Sequence, residues 1–157
     1  MCADEVRKEA VSNVSNSEVE DLEAKLARFC GVKHAVACAS GNDALFMALA
    51  SYDVGPGDAI FTTPFNDGAA VSVIRLLGAT PIFVDIDQST FNLDPEQLAQ
   101  AIEALVKGDT SIYPLPAGAA ASRLSPKGII SADLFGLPAD YDAIRALADR
   151  YGLFVIE

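Results

Sequence analysis

Short apolar runs alternate with helical segments along this chain, and that alternation limits the possible folds more than any other feature. The runs that read as strands are Ala35 to Cys38, Ala59 to Thr62, Pro81 to Val84, Gly128 to Ala132 and Leu153 to Ile156. None shows the polar alternation of a strand with one wet face. Each is therefore expected to be covered on both sides, as the strands of parallel sheets are. The expected class is α/β, a mostly parallel sheet with helices on both faces.

The helical segments carry their own punctuation. Ser17, with Glu20 three residues on, forms a capping box, and Val19, Leu22, Leu26 and Phe29 then share one face until Gly31. Ser40-Gly41-Asn42 turns the chain into Ala44 to Ala50, which is apolar nearly all round and predicts a buried helix. A helix from about Asp67 to Leu77 ends at Gly78, and Asp94, Pro95 and Gln97 open another whose inner face is Leu98, Ile102 and Leu105. Tyr141, Ile144, Leu147 and Tyr151 line a last helix, closed by Gly152. Residues 109–126 hold Pro114, Pro116, Pro126 and three consecutive alanines without a sustained period, and read as a surface insertion.

Residues 1–16 read as a tail, for they lack the apolar stretch of a secretory signal. The remaining 17–157 read as one stretch of sheet and helix. The final strand pattern is followed by a single residue, Glu157, so the chain is expected to be the front portion of a larger domain.

Composition excludes several functions. Eleven Lys and Arg stand against 22 Asp and Glu, a net charge of −11 and a pI near 4.3, which argues against a nucleic-acid binder. With 51% hydrophobic and 21% charged residues the chain is too apolar for disorder, and no run is long enough for a membrane helix. Cys2, Cys30 and Cys38 are an odd set without CxxC spacing, and His34 is the one histidine, so neither a disulfide framework nor a metal site is indicated. A reducing, cytoplasmic setting fits them. Cys30 and Cys38 read as small buried hydrophobes and His34 as a strand-edge residue.

Ligands of open parallel sheets bind beyond the carboxyl ends of strands, which directs attention to Ala39 to Asp43, Thr63 to Gly68, Asp85 to Gln88 and Asp133 to Pro138. Ser40 to Asp43 precedes a helix whose first N–H groups are unpaired, which is the geometry of a phosphate cradle and equally that of an ordinary N-cap. Asp85 and Asp87 lack the glycine fingerprint of a dinucleotide fold before them and read as structural.

Several motifs occur in one order at one spacing: Ala39-Ser40-Gly41-Asn42-Asp43-Ala44-Leu45, Val54-Gly55-Pro56-Gly57-Asp58, Leu76-Leu77-Gly78-Ala79 and Phe83-Val84-Asp85-Ile86-Asp87. Asn92-Leu93-Asp94-Pro95, Asp133-Leu134-Phe135-Gly136-Leu137-Pro138-Ala139-Asp140 and Val155-Ile156-Glu157 continue the series. Together they resemble the DegT/DnrJ/EryC1/StrS family of aminotransferases that depend on pyridoxal 5'-phosphate (PLP) and have fold type I. The resemblance covers about residues 17–157 and implies the N-terminal part of a PLP-binding large domain. It also implies amino transfer, from glutamate, to a keto group of a nucleotide-linked sugar, in a cytoplasmic homodimer.

Carried over by position, Gly41, Asn42 and Asp43 match the family's Gly-Thr-Asp turn for the cofactor phosphate, with Asn42 in place of Thr. Phe65, Asn66 and Asp67 fall where the family has Phe-Thr-aromatic. Asp67 thus occupies the place of the ring that stacks on the pyridine, where a carboxylate cannot stack; either Phe65 swings in or Asp67 caps the next helix. Asp133 stands where many relatives have His, and reads as satisfying its turn. The family's Glu-Asp-Ala-Ala-Gln motif would place the pyridine-nitrogen aspartate just after Glu157, and its Schiff-base lysine further on. Lys8, Lys25, Lys33, Lys107 and Lys127 lie outside that lysine motif, so no catalytic residue is expected within the chain. The departures at Asn42 and Asp67 also leave open a non-catalytic relative serving as a binding or partner subunit.

Overall fold

A computed structural model of the chain describes residues 16–117 and 124–157. The chain divides into two units, residues 1–39 and 40–157. The tail expected over 1–16 lies almost wholly outside the described residues.

In the first unit, helix α1 runs Asn16–Cys30 and is closed by Gly31 at φ 68°, a left-handed position that favours glycine. Ser17 is already helical rather than capping. The helix face of Leu22, Leu26 and Phe29 is exposed, as are Cys30 and Cys38, which corrects the expectation of buried thiols. The strand expected over Ala35 to Cys38 does not form. A lone strand cannot satisfy its own N–H and C=O groups, and no described strand pairs with this one. One bond that holds the segment runs from the Ala37 amide to Glu23 Oε1 at 2.7 Å. His34 is exposed beside it.

The second unit is a parallel four-stranded sheet in the order β2-β1-β3-β4, with β1 Asp58–Thr62, β2 Thr80–Phe83, β3 Ser125–Ile130 and β4 Phe154–Ile156. Its helices are α2 Gly41–Ser51, α3 Ala69–Leu76, α4 Pro95–Lys107 and α5 Tyr141–Tyr151. Period-two alternation sorts the strands' side chains between two layers. Ala59, Phe61, Ile82 and Ile129 pack with Leu98, Ile102 and Leu105 of α4 and Ile144 of α5. Ile60 and Ile130 face the other way, toward Leu49 of α2 and Val73 and Ile74 of α3. Helices do lie on both faces, as the unalternating strands implied.

Local chemistry sets the ends of these elements. Asp94 caps α4 by accepting from the amides of Glu96 (2.7 Å) and Gln97 (3.3 Å), Pro95 fills the first turn, and Gly108 closes it in the left-handed region. Asp140 caps α5, accepting from the Ala143 amide at 3.1 Å. Helix α3 starts later than expected, at Ala69, with Gly68 at φ 82° as N-cap. Helix α2 departs more: Leu49 is fully buried, but Phe46 and Met47 are exposed, so an all-apolar sequence has not produced a buried helix. Strand β3 begins at Ser125 and ends at Ile130, three residues earlier than expected at its start and two at its end. It therefore takes Ser125 and Pro126 out of the expected insertion and leaves Ser131 and Ala132 beyond the strand. At Gly128 a Cβ would overlap the Phe154 ring, which stacks on Tyr52 at 4.1 Å between centroids. In the first part of the insertion Tyr113 is buried, and its hydroxyl oxygen accepts from the Asp85 amide at 3.2 Å. Residues 118–123 lie outside the described residues.

Candidate functional site: a cleft at the carboxyl ends of the strands

The chain leaves β1 for β2 on one side and later returns to β1's other side as β3, so strand order reverses between β1 and β3. Loops diverge at such a point and leave a crevice. A cleft of ≈ 670 Å³ opens there, lined below by Thr62 and Thr63 at the end of β1, Ile130 to Ala132 at the end of β3, and Ile156 and Glu157 at the end of β4. Its walls are Ser40, Gly41, Asn42, Ala44, Leu45 and Ala48 of α2, and Asn66, Asp67, Ala69 and Ala70 leading into α3. Ala44, Ala48, Ala69 and Ala70 keep this volume open, with Leu45 the one large apolar side chain that the helices add to the lining.

Helix α2 points its amino end at the cleft. Ser40 is the N-cap, its Oγ accepting from the Asp43 amide at 3.2 Å and donating to Asp43 Oδ2 at 2.8 Å. The first intrahelical bond is Ala44 N to Ser40 O, 3.0 Å, so the amides of Gly41 and Asn42 precede the ladder and are left for a ligand. Gly41 has open space where a Cβ would stand. Of the two sequence readings of this turn, the cap is observed, while the amides of Gly41 and Asn42 remain at the positive end of the helix, the geometry that an anion would need. Asp43 itself is spent on the cap and does not line the cleft.

The loop after β1 is braced by its own side chains. Thr63, almost fully buried, accepts the Phe65 amide on Oγ1 (3.1 Å) and the Asn66 amide nitrogen Nδ2 on its carbonyl (2.7 Å), and Asn66 Oδ1 accepts from the Gly68 amide (2.7 Å). Asp67 Oδ1 accepts from the Ala69 amide at 2.9 Å, holding the entry to α3 while the residue lines the cleft. Phe65 is turned away: it is not among the lining residues, and its ring lies 5.8 Å from that of Phe91. Of the residues nominated from sequence, Gly41, Asn42 and Asp67 share the cleft, and Asp43 and Phe65 stand outside its lining. Asn66, placed in this loop from sequence but given no role, also lines the cleft, and Thr62, Thr63 and Ser131 were not nominated. Their one signal was position at a strand's carboxyl end, since nothing in their residue types marks a ligand.

Charge around the cleft is acidic. Asp67 and Glu157 are its ionisable lining residues, so α2's amino end is the positive element that the described lining offers. Glu157 pairs with Arg145 of α5. No described lysine is among its lining residues: within this unit Lys107 pairs with Glu103 on α4, and Lys127 reaches Asp58 at 3.7 Å near the opposite ends of β1 and β3. Asp133 satisfies its turn as expected, its Oδ1 accepting from the Ala139 amide (3.1 Å) and the Tyr141 hydroxyl (2.8 Å). Burial pushes the Tyr141 phenol up to about 12, helped by that bond to Asp133. Asp85 and Asp87 are likewise structural: Asp87 Oδ1 accepts from the Ser89 amide and hydroxyl and the Thr90 amide, which hold its carboxyl below the ordinary value. No group of His, Cys, Asp and Glu able to hold a metal ion occurs among the described residues.

A doubly wound sheet with an anion cradle at its switch point defines a class of cofactor- and nucleotide-binding proteins, and comparison with known proteins narrows it. The model of the DegT/DnrJ/EryC1/StrS aminotransferase family matches residues 2–157, and the chain belongs to that family. It is 41% identical over 140 residues to a UDP-2-acetamido-2-deoxy-3-oxo-D-glucuronate aminotransferase of Pseudomonas aeruginosa, covering 89% of this chain and 33% of that one. A crystal structure of a DegT/DnrJ/EryC1/StrS aminotransferase from Brucella abortus superposes with a TM-score of 0.81 at 42% identity, over 97% of this chain and 38% of the other. NtdA of Bacillus subtilis, solved with bound cofactor PMP, gives 0.75 at 27% identity, over 100% and 34%. The fold is that of the fold type I PLP aminotransferases. The chain spans about a third of the length of the curated relatives it matches.

Proposed function

We propose that this chain supplies the cofactor-cradling part of a PLP-dependent aminotransferase that moves an amino group, with glutamate as donor, to a keto group of a nucleotide-linked sugar. The observation that carries the reading is the amino end of α2 opening into an alanine-walled cleft at the switch point. In a member of this family that cleft is the place for the cofactor, and the residues present fit one: free amides at Gly41 and Asn42, open space above Gly41, and volume for a ring.

Pyridoxal phosphate supplies an electron-withdrawing ring that carries the amino group between donor and acceptor. The chain's residues bind and orient. The Gly41 and Asn42 amides and the Asn42 side chain would hold the phosphate, while Asp43 and Ser40 lock the turn that presents them. Thr62, Thr63 and Ala70 shape the walls. Asp67 lies in the cleft in place of a stacking ring, which leaves apolar contact from the alanines and Ile130 as the grip on the ring faces. No described lysine lines the cleft, so residues 17–157 taken alone would bind without catalysing. The intact protein would act as a cytoplasmic homodimer, with residues 109–126 available for contacts.

The test is cofactor uptake by the intact protein. Incubation with PLP is expected to give a visible absorbance that borohydride bleaches, and mixing with glutamate is expected to shift it. A protein that stays colourless would sink the enzyme reading in favour of a binding subunit.

A further inference from the structure

Beside the cleft, three phenylalanine rings from three separate loops meet in the open. Phe65, Phe91 and Phe135 are 45%, 43% and 83% exposed. Phe91 lies 5.8 Å from Phe65 and 6.1 Å, edge-on, from Phe135. Two of the three sit on left-handed backbone, Phe91 at φ 62° and Phe135 at φ 57°. For a bulky residue that conformation costs roughly 1–3 kcal/mol and persists where surrounding structure enforces it.

The enforcing structure is present. Asn92, 2% exposed, donates from Nδ2 to the Leu137 carbonyl at 2.8 Å and accepts on Oδ1 from the Leu134 amide at 3.0 Å. It thus clamps the Phe135 turn to the loop that carries Phe91. Asp87 braces that loop from the other side, with Phe91 N bonded to Asp87 O at 2.8 Å. A buried polar clamp and two strained residues therefore hold aromatic faces toward solvent, where burial would have stabilised them.

We infer that Phe65, Phe91 and Phe135 form a stacking platform for the base of the nucleotide-linked substrate, next to the cleft that would take its sugar. The inference rests on the proposed function. Phe65 follows Thr63 of the cleft floor by two residues and Phe135 follows Ala132 by three, so the backbone places them within roughly 7 and 11 Å of lining residues. That separation suits a sugar diphosphate spanning from cleft to platform. The neighbouring acids, Asp85, Asp87 and Asp133, are engaged within their own turns and offer a diphosphate no attraction, so ring faces are what this edge has for recognition. Stacking on them discriminates little between bases.

The experiment titrates UDP, GDP and inorganic pyrophosphate into the intact protein and into its Phe135→Ala and Phe91→Gly variants, by calorimetry. Glycine adopts the left-handed position freely, so Phe91→Gly removes a ring without straining the loop. Each variant is expected to weaken UDP and GDP by roughly five- to a hundredfold, the range of a lost base stack, and to leave pyrophosphate unchanged. Undiminished nucleotide binding in both variants, absence of nucleotide binding in the parent, equal loss of pyrophosphate, or a change in sedimentation without a change in affinity would each overturn the platform. PLP uptake, read separately by absorbance, decides the proposed function: variants that keep the cofactor and the nucleotide refute the platform alone.

Discussion

The two faces of the sheet are built from the same alternating strands yet end in opposite conditions. On the α4/α5 face, Leu98, Ala101, Ile102, Ala104 and Leu105 meet Phe61, Ile82 and Ile129 with no lining of a cleft among them. On the α2/α3 face, Leu49, Val73 and Ile74 close the core against Ile60, but toward the carboxyl ends of the strands the helices offer four alanines beside Leu45. The difference shows that this fold makes its cleft by subtraction. Side-chain volume is withheld at Ala44, Ala48, Ala69 and Ala70, on helices that are otherwise as apolar as the closed face.

The largest effect is expected on the closed face. Phe61→Ala removes a fully buried ring from its centre and should cost about 3–5 kcal/mol, measured by urea unfolding of the intact protein. A loss under about 1 kcal/mol would show that this face is not the packed one. Ala48→Leu makes the converse test. It adds volume where the open face keeps room, so stability should stay within about 1 kcal/mol of the parent while PLP uptake falls at least tenfold. Loss of stability with retained uptake would mean that Ala48 belongs to the core and the cleft is elsewhere.

Asp67→Asn sharpens the comparison within the open face. The carboxylate shares the cleft with the α2 amino end, where the cofactor phosphate would sit, and like charges repel each other. The amide keeps the bond to the Ala69 amide and drops the charge. PLP affinity should rise roughly fivefold, with a weaker salt dependence. Weaker binding would show that the carboxylate attracts a cationic group instead.

The closed face was the more legible in sequence, and for a physical reason. Asp94 and Asp140 accept helix amides on their side chains, and Pro95, Gly108 and Gly152 act through their own backbone, so local chemistry fixes where α4 and α5 begin and end. Leu98, Ile102, Leu105 and Ile144 then follow from helical period alone. The open face depends on what stands opposite. The apolar run Ala44 to Ala50 predicts burial, yet exposure of Phe46 and Met47 is settled by neighbours that periodicity does not contain. Ala35 to Cys38 has strand chemistry without a described partner, and pairing is a property of two segments. Site residues divide the same way. Gly41 and Asn42 reach the cleft because a turn before a helix has one geometry, and the Phe65 ring stands outside its lining because its partner, Phe91, comes from a loop after another strand.

The smallest effect concerns alkaline pH and falls on the closed face, whose core takes in both Tyr113 and Tyr141. Tyr141, the first residue of α5, has its phenol raised to about 12 by burial and by donation to Asp133, and Tyr113 in the first part of the insertion is raised by burial. A raised phenol means that the folded state keeps a proton which the unfolded chain gives up near pH 10. The contribution is thus fully present below pH 10 and is lost as pH climbs toward 12. Because Tyr141 is partly exposed, solvent screening holds its share to about 1 kcal/mol or less. Urea unfolding at pH 8, 10 and 11 should show stability falling across that window, and Tyr141→Phe should remove part of the slope, leaving the remainder to Tyr113. An unchanged slope in Tyr141→Phe would mean that the Asp133 turn does not depend on the phenolic proton, and that Asp133 is held by the Ala139 amide alone.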